Sequence, residues 1–283
     1  MPSISSPVSV ELFPHDSVKE NRFDLLTTPK HAKAVQNQGK VYLVGAGTGD
    51  PELLTIKAYK TILQADVICY DNLVSDEILA LNTTAEKIYV GKKCHKHSMS
   101  QQDINGLLVT LAQQGKTIVR LKSGDPFIFG RGGEEMQTVI SAGVACESIA
   151  GITTALAVSN SVNIPLTHRD YAQSVKFVTG FLKTDTPNEQ FAELLTDNQT
   201  VVFYMGLNTL PNLTQGLLQA GKSADTPFAI IANVSRHNEQ VLVGTLSTIQ
   251  ALQNDAKLPS PAVMIMGEVV SLYNELNASR QYY

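Results

Sequence analysis

Two glycine-rich segments hold many of the residues whose types and spacing could perform chemistry. The segment 45–51 (GAGTGDP) follows a short apolar stretch and precedes a helical pattern, where backbone amides can receive an anionic group. The segment 120–135 (RLKSGDPFIFGRGGEE) also follows a strand pattern, and it combines Arg131 and Glu134 with several glycines. Ligands bind beyond the carboxyl ends of strands in open α/β sheets, so we expect both segments to border a ligand site.

The first segment does not complete the fingerprint of dinucleotide-binding proteins. After Gly45 and Gly47 the third glycine would fall at Asp50, whose carboxylate would repel a pyrophosphate. Asp71 lies about 20 residues further along, where that fingerprint places an acidic residue. The residues alone therefore leave three interpretations open: a dinucleotide site, a site for another small ligand, and a plain tight turn.

Three other positions carry reactive side chains. The segment 91–97 (GKKCHKH) holds a cysteine and two histidines, but their spacing is too tight for the common zinc patterns, so no metal site is predicted. Its lysines, Lys92 among them, form a basic patch that suits an anionic ligand. Arg169 lies at a predicted junction between domains, where clefts are common. Met205 follows a strand pattern and could be either a ligand contact or ordinary core.

Strand patterns alternate with helical patterns along the chain, which predicts a mainly parallel α/β sheet. An amphipathic helix is predicted over 52–65, and another begins after Ser100, with Asp103 close to the third helical position. The pattern changes after Pro165. The predicted organisation is a flexible tail over 1–39, an N-terminal α/β domain over 40–166 and a C-terminal α/β domain over 167–278.

Composition excludes several classes of protein. The 283 residues are 43% hydrophobic and 17% charged, which argues against a disordered chain. A net charge of -4 and the absence of tryptophan argue against nucleic-acid binding. No apolar export segment opens the chain, and polar residues interrupt the apolar stretch 148–167, so no membrane span is predicted. Three cysteines fit a reducing compartment, which predicts the cytoplasm.

Taken in order, nine motifs resemble the tetrapyrrole methylase family, and in particular the uroporphyrinogen-III C-methyltransferases, which make precorrin-2. The motifs lie between Lys40 and Leu276 and read VGAGTGDPELLT, ADVICYDNLV, VGKK, RLKSGDPFIFGRGGEE, GITTA, IPLTHRDYAQS, VTG, TVVFYMGL and SPAVMIMGEVV. The resemblance implies two α/β domains, usually in a homodimer, with S-adenosylmethionine (SAM) in the interdomain cleft. It places the tetrapyrrole on the N-terminal side and SAM on the C-terminal side.

The resemblance also assigns site residues. Those that fall on SAM-contacting positions are Thr48, Ser123, Gly124, Asp125, Ile128, Thr153, Thr154, Met205, Val234 and Ala262. Asp71 matches a proposed proton acceptor and Lys92 a proposed proton donor. Arg131, Glu134 and Arg169 match positions tied to substrate binding or proton transfer, and Met205 also lines the reacting centre.

The implied reaction is the methylation of uroporphyrinogen III at C2 and C7, with SAM as methyl donor and no metal. Its substrate is a polycarboxylate, which suits arginine because the guanidinium binds carboxylates with two parallel hydrogen bonds. Methyl transfer to a pyrrole carbon also requires close alignment and removal of a proton. The sequence leaves the base open among Asp71, Glu134 and Arg131, although an arginine base would be unusual.

Several positions depart from the family pattern. The family usually has proline at Thr48, glycine at Ser123 and Val234, alanine at Thr154 and histidine at Phe181. These departures keep two alternatives open: a methylase of a later precorrin, and a homologue that binds SAM or a tetrapyrrole without catalysis. Some relatives fuse this module to a dehydrogenase and ferrochelatase part. The stretch before Lys40 is too short for that part, which predicts the methyltransferase alone.

Overall fold

The computed structural model describes residues 39–91, 99–180 and 191–278. The first half forms a five-stranded, fully parallel sheet in the order β3-β2-β4-β1-β5, as the alternating pattern predicts. Its strands span Lys40–Gly45 (β1), Val67–Tyr70 (β2), Glu86–Tyr89 (β3), Thr117–Lys122 (β4) and Ala145–Ile149 (β5). They are short, and the aliphatic residues of the central strands β1, β2 and β4 are buried.

The described helices of this half span Ile56–Leu63 (α1), Asp76–Ala80 (α2), Gln101–Gln113 (α3), Gly132–Ser141 (α4) and Thr154–Ser161 (α5). Three of them, α1, α2 and α3, begin at side-chain caps that the sequence supplies, Thr55, Ser75 and Ser100. Ser100 and Asp103 form a complete capping box on α3, so that prediction is confirmed. The prediction of one helix over 52–65 is wrong. A 3-10 turn ends at Leu53, and α1 starts anew because the Thr55 hydroxyl accepts the Ala58 amide.

The second half forms a mixed five-stranded sheet in the order β6-β7-β10-β8-β9. Only β6 and β7 are parallel, while β10 runs antiparallel to both of its neighbours. The strands span Ser174–Thr179 (β6), Gln199–Tyr204 (β7), Pro227–Ala232 (β8), Gln240–Thr245 (β9) and Ala262–Met266 (β10). Within the described residues, helices accompany them over Leu210–Gln219 (α6), Ile249–Ala256 (α7) and Tyr273–Asn277 (α8).

Helix α5 joins the two halves through one apolar core. Ala155 and Val158 are fully buried and pack in the same cluster as Val202 of β7 and Val263 of β10. Small residues on α5 allow this close packing of helix on sheet. No helix within the described residues is long and apolar enough to span a membrane. The division at residue 166 stays a prediction, and the proposed tail up to residue 38 lies outside the described residues.

Candidate active site

The two glycine-rich segments meet at the carboxyl edge of the first sheet. Gly47 and Gly124 exchange backbone hydrogen bonds in both directions, with N···O distances of 3.2 and 2.6 Å. Gly47 and Gly124 have φ values of 64° and 68°, which favour glycine, and a Cβ atom on the nearby Gly45 would collide with the backbone nitrogen of Gly151. Thr48 and Ser123 are thereby brought to the wall of one cavity.

This cavity has a volume of about 390 Å³ and receives side chains from both halves of the chain. Six of the ten residues assigned to SAM line it: Thr48, Ser123, Thr154, Met205, Val234 and Ala262. The other four, Gly124, Asp125, Ile128 and Thr153, do not line it, although Gly124 and Thr153 are the chain neighbours of the lining residues Ser123 and Thr154. The Asp125 carboxylate accepts the Phe127 and Gly151 amides (2.9 and 3.1 Å), which fixes the loop after β4.

The Thr48 side chain marks the cavity as a place for a polar ligand. Thr48 is 5% exposed, and its hydroxyl oxygen has no hydrogen-bond partner within the part of the chain that the structure describes. An unpaired buried hydroxyl is costly, and a ligand with a matching group would remove that cost. The residues around it therefore fit the polar atoms of a bound cofactor.

Met205 and Tyr204 form the wall contributed by β7. Met205 is 50% exposed and has a φ of 55°, a conformation that non-glycine residues rarely adopt. The interpretation of Met205 as ordinary core is therefore wrong. The Tyr204 hydroxyl lies 2.8 Å from Thr153 Oγ1 and accepts the Ala155 amide (3.0 Å), so it caps α5 from the second sheet. Burial raises the pKa of this phenol, which keeps its proton in place.

A buried charged cluster lies beneath this edge of the first sheet. Arg120 Nε, Lys122 Nζ and Gln101 Nε2 donate to a single oxygen, Oε1 of Glu135, at 3.3, 3.0 and 3.0 Å. Glu135 is fully buried, and its Oε2 has no partner among the described residues. Burial, followed by the neighbouring Arg120, lowers the pKa of Lys122 from its ordinary value. Sequence reasoning missed this cluster and favoured the adjacent Glu134.

Asp71 is linked to that cluster. Its Oδ2 accepts from Arg120 Nη2 at 3.3 Å, and its Oδ1 accepts the Leu73 amide at 3.1 Å. The side chain is 24% exposed, so the carboxylate is held on one side and open on the other. The next two residues, Asn72 and Leu73, line the cavity. Asp71 itself does not line the cavity, but it directly precedes the lining Asn72, and its carboxylate is a group that can accept a proton.

The other assigned residues that the structure describes do not line the cavity. Arg131 and Glu134 form an exposed pair, with Arg131 Nε donating to Glu134 Oε1 at 2.9 Å. The hydrogen bond from Arg131 lowers the pKa of Glu134, which makes that carboxylate a weaker base. Arg169 is exposed on the turn after Ile164 and does not line the cavity. Lys92, the basic patch around it and Phe181 lie outside the described residues.

Fold and site define a class of protein. The model of the tetrapyrrole (corrin/porphyrin) methylases matches residues 40–250. The chain therefore belongs to the tetrapyrrole methylase family, and the predicted family and fold are confirmed. The dinucleotide-binding interpretation is wrong, because the glycine-rich segment belongs to this different α/β architecture.

Individual relatives narrow the comparison. A siroheme synthase from Psychrobacter cryohalolentis is 54% identical over 250 residues, which cover 88% of this chain and 48% of that protein. The chain spans about half the length of the curated relatives it matches first. A uroporphyrin-III-C-methyltransferase from Thermus thermophilus is 38% identical with a TM-score of 0.71, over 84% of this chain and 96% of that one. Another structure of the Thermus thermophilus enzyme, complexed with S-adenyl homocysteine, gives the same identity and TM-score over 83% and 100%.

Proposed function

We propose that this chain is a SAM-dependent C-methyltransferase that converts uroporphyrinogen III to precorrin-2 by methylation at C2 and C7. The observation that carries the proposal is the cavity, because six of the ten residues assigned to SAM line it together. Two Thermus thermophilus structures support it, since both are of a uroporphyrin III C-methyltransferase and one is complexed with S-adenyl homocysteine.

The cavity suits SAM in its chemistry as well as in its lining. Thr48 offers an unpaired buried hydroxyl, and Met205 presents a half-exposed thioether in an unusual backbone conformation. Such conformations persist where the surroundings enforce them, often at ligand sites. When bound, SAM supplies a methyl group on a sulfonium. The protein's part is to hold that donor and the acceptor carbon in line and to exclude water.

Asp71 is the proposed proton acceptor. Its carboxylate is oriented by the Leu73 amide and by Arg120, the side chain is 24% exposed, and the next two residues of the chain line the cavity. Glu134 is less suitable because its pairing with Arg131 lowers its pKa. Arg131 remains protonated in that pair, so it serves as a binding group rather than a base.

Arg131 and Arg169 are proposed to bind the carboxylates of the tetrapyrrole. Both are exposed, so they can reach the side chains of a ligand that extends beyond the cavity. Lys92 keeps its proposed role as proton donor on the resemblance alone. A homodimer is proposed from the same resemblance, and a cytoplasmic location from the three cysteines.

The deciding experiment is anaerobic incubation of the protein with SAM and freshly made uroporphyrinogen III, followed by mass spectrometry of the tetrapyrrole. A gain of two methyl groups is expected. Asp71→Asn should slow turnover by about 100-fold or more while S-adenosylhomocysteine still binds. Asp255→Asn, an exposed carboxylate on α7, is the matched control and should retain full turnover. An unchanged tetrapyrrole despite tight S-adenosylhomocysteine binding would instead support a later-precorrin substrate or a homologue without catalysis.

A further inference from the structure

Arg236 is the single charged residue among the described residues that line the cavity. It lies on the loop that follows β8, two residues beyond Val234. Two hydrogen bonds hold this loop to the second half: the Asn233 amide donates to Pro261 O (2.9 Å), and the Ser235 amide donates to Glu239 Oε2 (2.8 Å). The base of the Arg236 side chain is therefore fixed to the second half of the chain.

The far end of the Arg236 side chain reaches the first half. Its Nη2 donates to the Leu73 carbonyl oxygen at 2.9 Å. The amide of the same residue, Leu73, donates to Asp71 Oδ1 at 3.1 Å. Leu73 therefore links the two side chains: its carbonyl binds Arg236, and its amide orients the Asp71 carboxylate.

The guanidinium also lies against the first glycine-rich segment. A Cβ atom on Gly49 would be 3.4 Å from Arg236 Nε, so Gly49 leaves room for this side chain. The Gly49 carbonyl in turn accepts from the Ser75 hydroxyl at 2.6 Å, at the start of α2. One arginine from the second half thereby lies against two of the first-half loops that border the cavity.

We propose that Arg236 is a positioning residue for methyl transfer. It holds the loop 71–75 in place and so fixes Asp71 relative to the cofactor cavity. Without this hydrogen bond, the Leu73 carbonyl loses its only described partner in the second half. The Asp71 carboxylate is then held only by its hydrogen bonds to the Leu73 amide and to Arg120. The proposal rests on the proposed function, because it assigns Asp71 the role of proton acceptor.

The test compares Arg236→Gln and Arg236→Lys, with His237→Gln as the matched control on the same loop. The first readout is amide hydrogen exchange of the segment 72–75 in the protein with S-adenosylhomocysteine. Exchange should accelerate about tenfold in Arg236→Gln and less in Arg236→Lys, which can still donate one hydrogen bond. His237→Gln should leave it unchanged, since His237 is exposed and has no described partner.

The second readout is turnover. Arg236→Gln should lower kcat about tenfold with little change in the KM for the tetrapyrrole, and Arg236→Lys should recover part of the loss. Unchanged exchange in Arg236→Gln would overturn the proposal. The proposal would also be overturned if Arg236→Gln methylated the tetrapyrrole as fast as the unaltered protein. That result would leave the proposed function intact, because the unaltered protein would still be active. An unaltered protein that transfers no methyl group would refute the proposed function and this role together.

Discussion

The two sheets contribute to the same cavity in different ways. In the first half, the strand β4 buries Arg120 and Lys122 against Glu135, and Arg120 reaches on to Asp71. In the second half, the described residues include no buried charged side chain, and β7, β8 and β10 have almost entirely apolar interiors. The second half shapes the cavity instead through its turns, where Met205 and Asn233 have φ values of 55° and 54°.

This difference separates two tasks. A buried charged cluster costs desolvation energy, and it is held only if its members satisfy one another. The first half accepts that cost next to the residue proposed to move a proton. The second half forms the shape of the ligand site on an apolar sheet. We therefore expect substitutions in the first cluster to reduce stability and activity together, and substitution of the half-exposed Met205 in the second wall to reduce binding alone.

Glu135→Gln should have the largest effect. It removes the charge that balances Arg120 and Lys122, and breaking a buried ion pair costs about 3–5 kcal/mol. Turnover should fall as well, because Arg120 loses one of the contacts that orient it toward Asp71. Urea unfolding of the purified variant measures the stability change.

The matched control for Glu135→Gln comes from the other half. Glu193→Gln removes a carboxylate that pairs with Lys176 at 2.8 Å on the exposed surface, and it should leave the urea midpoint unchanged. Equal midpoints for both variants would contradict the contrast between the two sheets.

Met205→Ala should change binding without changing stability. The side chain is half exposed, and alanine keeps the Cβ atom, so the free energy of unfolding should stay within about 0.5 kcal/mol. The affinity for S-adenosylhomocysteine should fall about tenfold through lost packing at the cavity wall. Calorimetric titration beside urea unfolding separates the two quantities. A variant that lost stability but kept its affinity would place Met205 in the core after all.

Tyr204→Phe should have the smallest effect and should test the contact between the halves. Its hydroxyl bonds Thr153 Oγ1 and the Ala155 amide, and losing it should cost about 1 kcal/mol of unfolding free energy. Tyr59→Phe, on the exposed face of α1, is the control and should cost nothing measurable. An equal response of the two variants would show that α5 does not depend on this cap.

Much of the fold could be predicted because local rules agreed with it. The parallel first sheet followed from alternating patterns, and the start of α3 followed from Ser100 and Asp103. The break before α1 was missed because apolar periodicity continues through it, although Thr55 is a favourable capping residue. The antiparallel strands of the second sheet were not foreseen, since pairing direction is a long-range property.

The candidate site was predictable where it depends on loop motifs. The resemblance assigned Thr48, Ser123 and Val234 to SAM, and the structure places all three on the wall of one cavity. The resemblance did not predict contacts between residues that are distant in the sequence. Arg236 meets Leu73 only through the fold, and no spacing along the sequence reveals that. The cluster around Glu135, in contrast, has a signal in the sequence. Residues 120 and 122 are both cations and point to one face of a buried strand, which requires a buried anion.

The contact between the rings of Phe129 and Tyr204, with centroids 4.9 Å apart, has an optical consequence. The chain contains no tryptophan, so an indole introduced as Phe129→Trp would be its only strong near-ultraviolet fluorophore. That fluorophore would stand on the loop of the first half, against a cavity-lining ring of the second. Its emission wavelength and intensity would depend on the polarity and on the quenching groups around position 129. A change in emission would therefore report ligand entry in real time, without a label or a coupled assay.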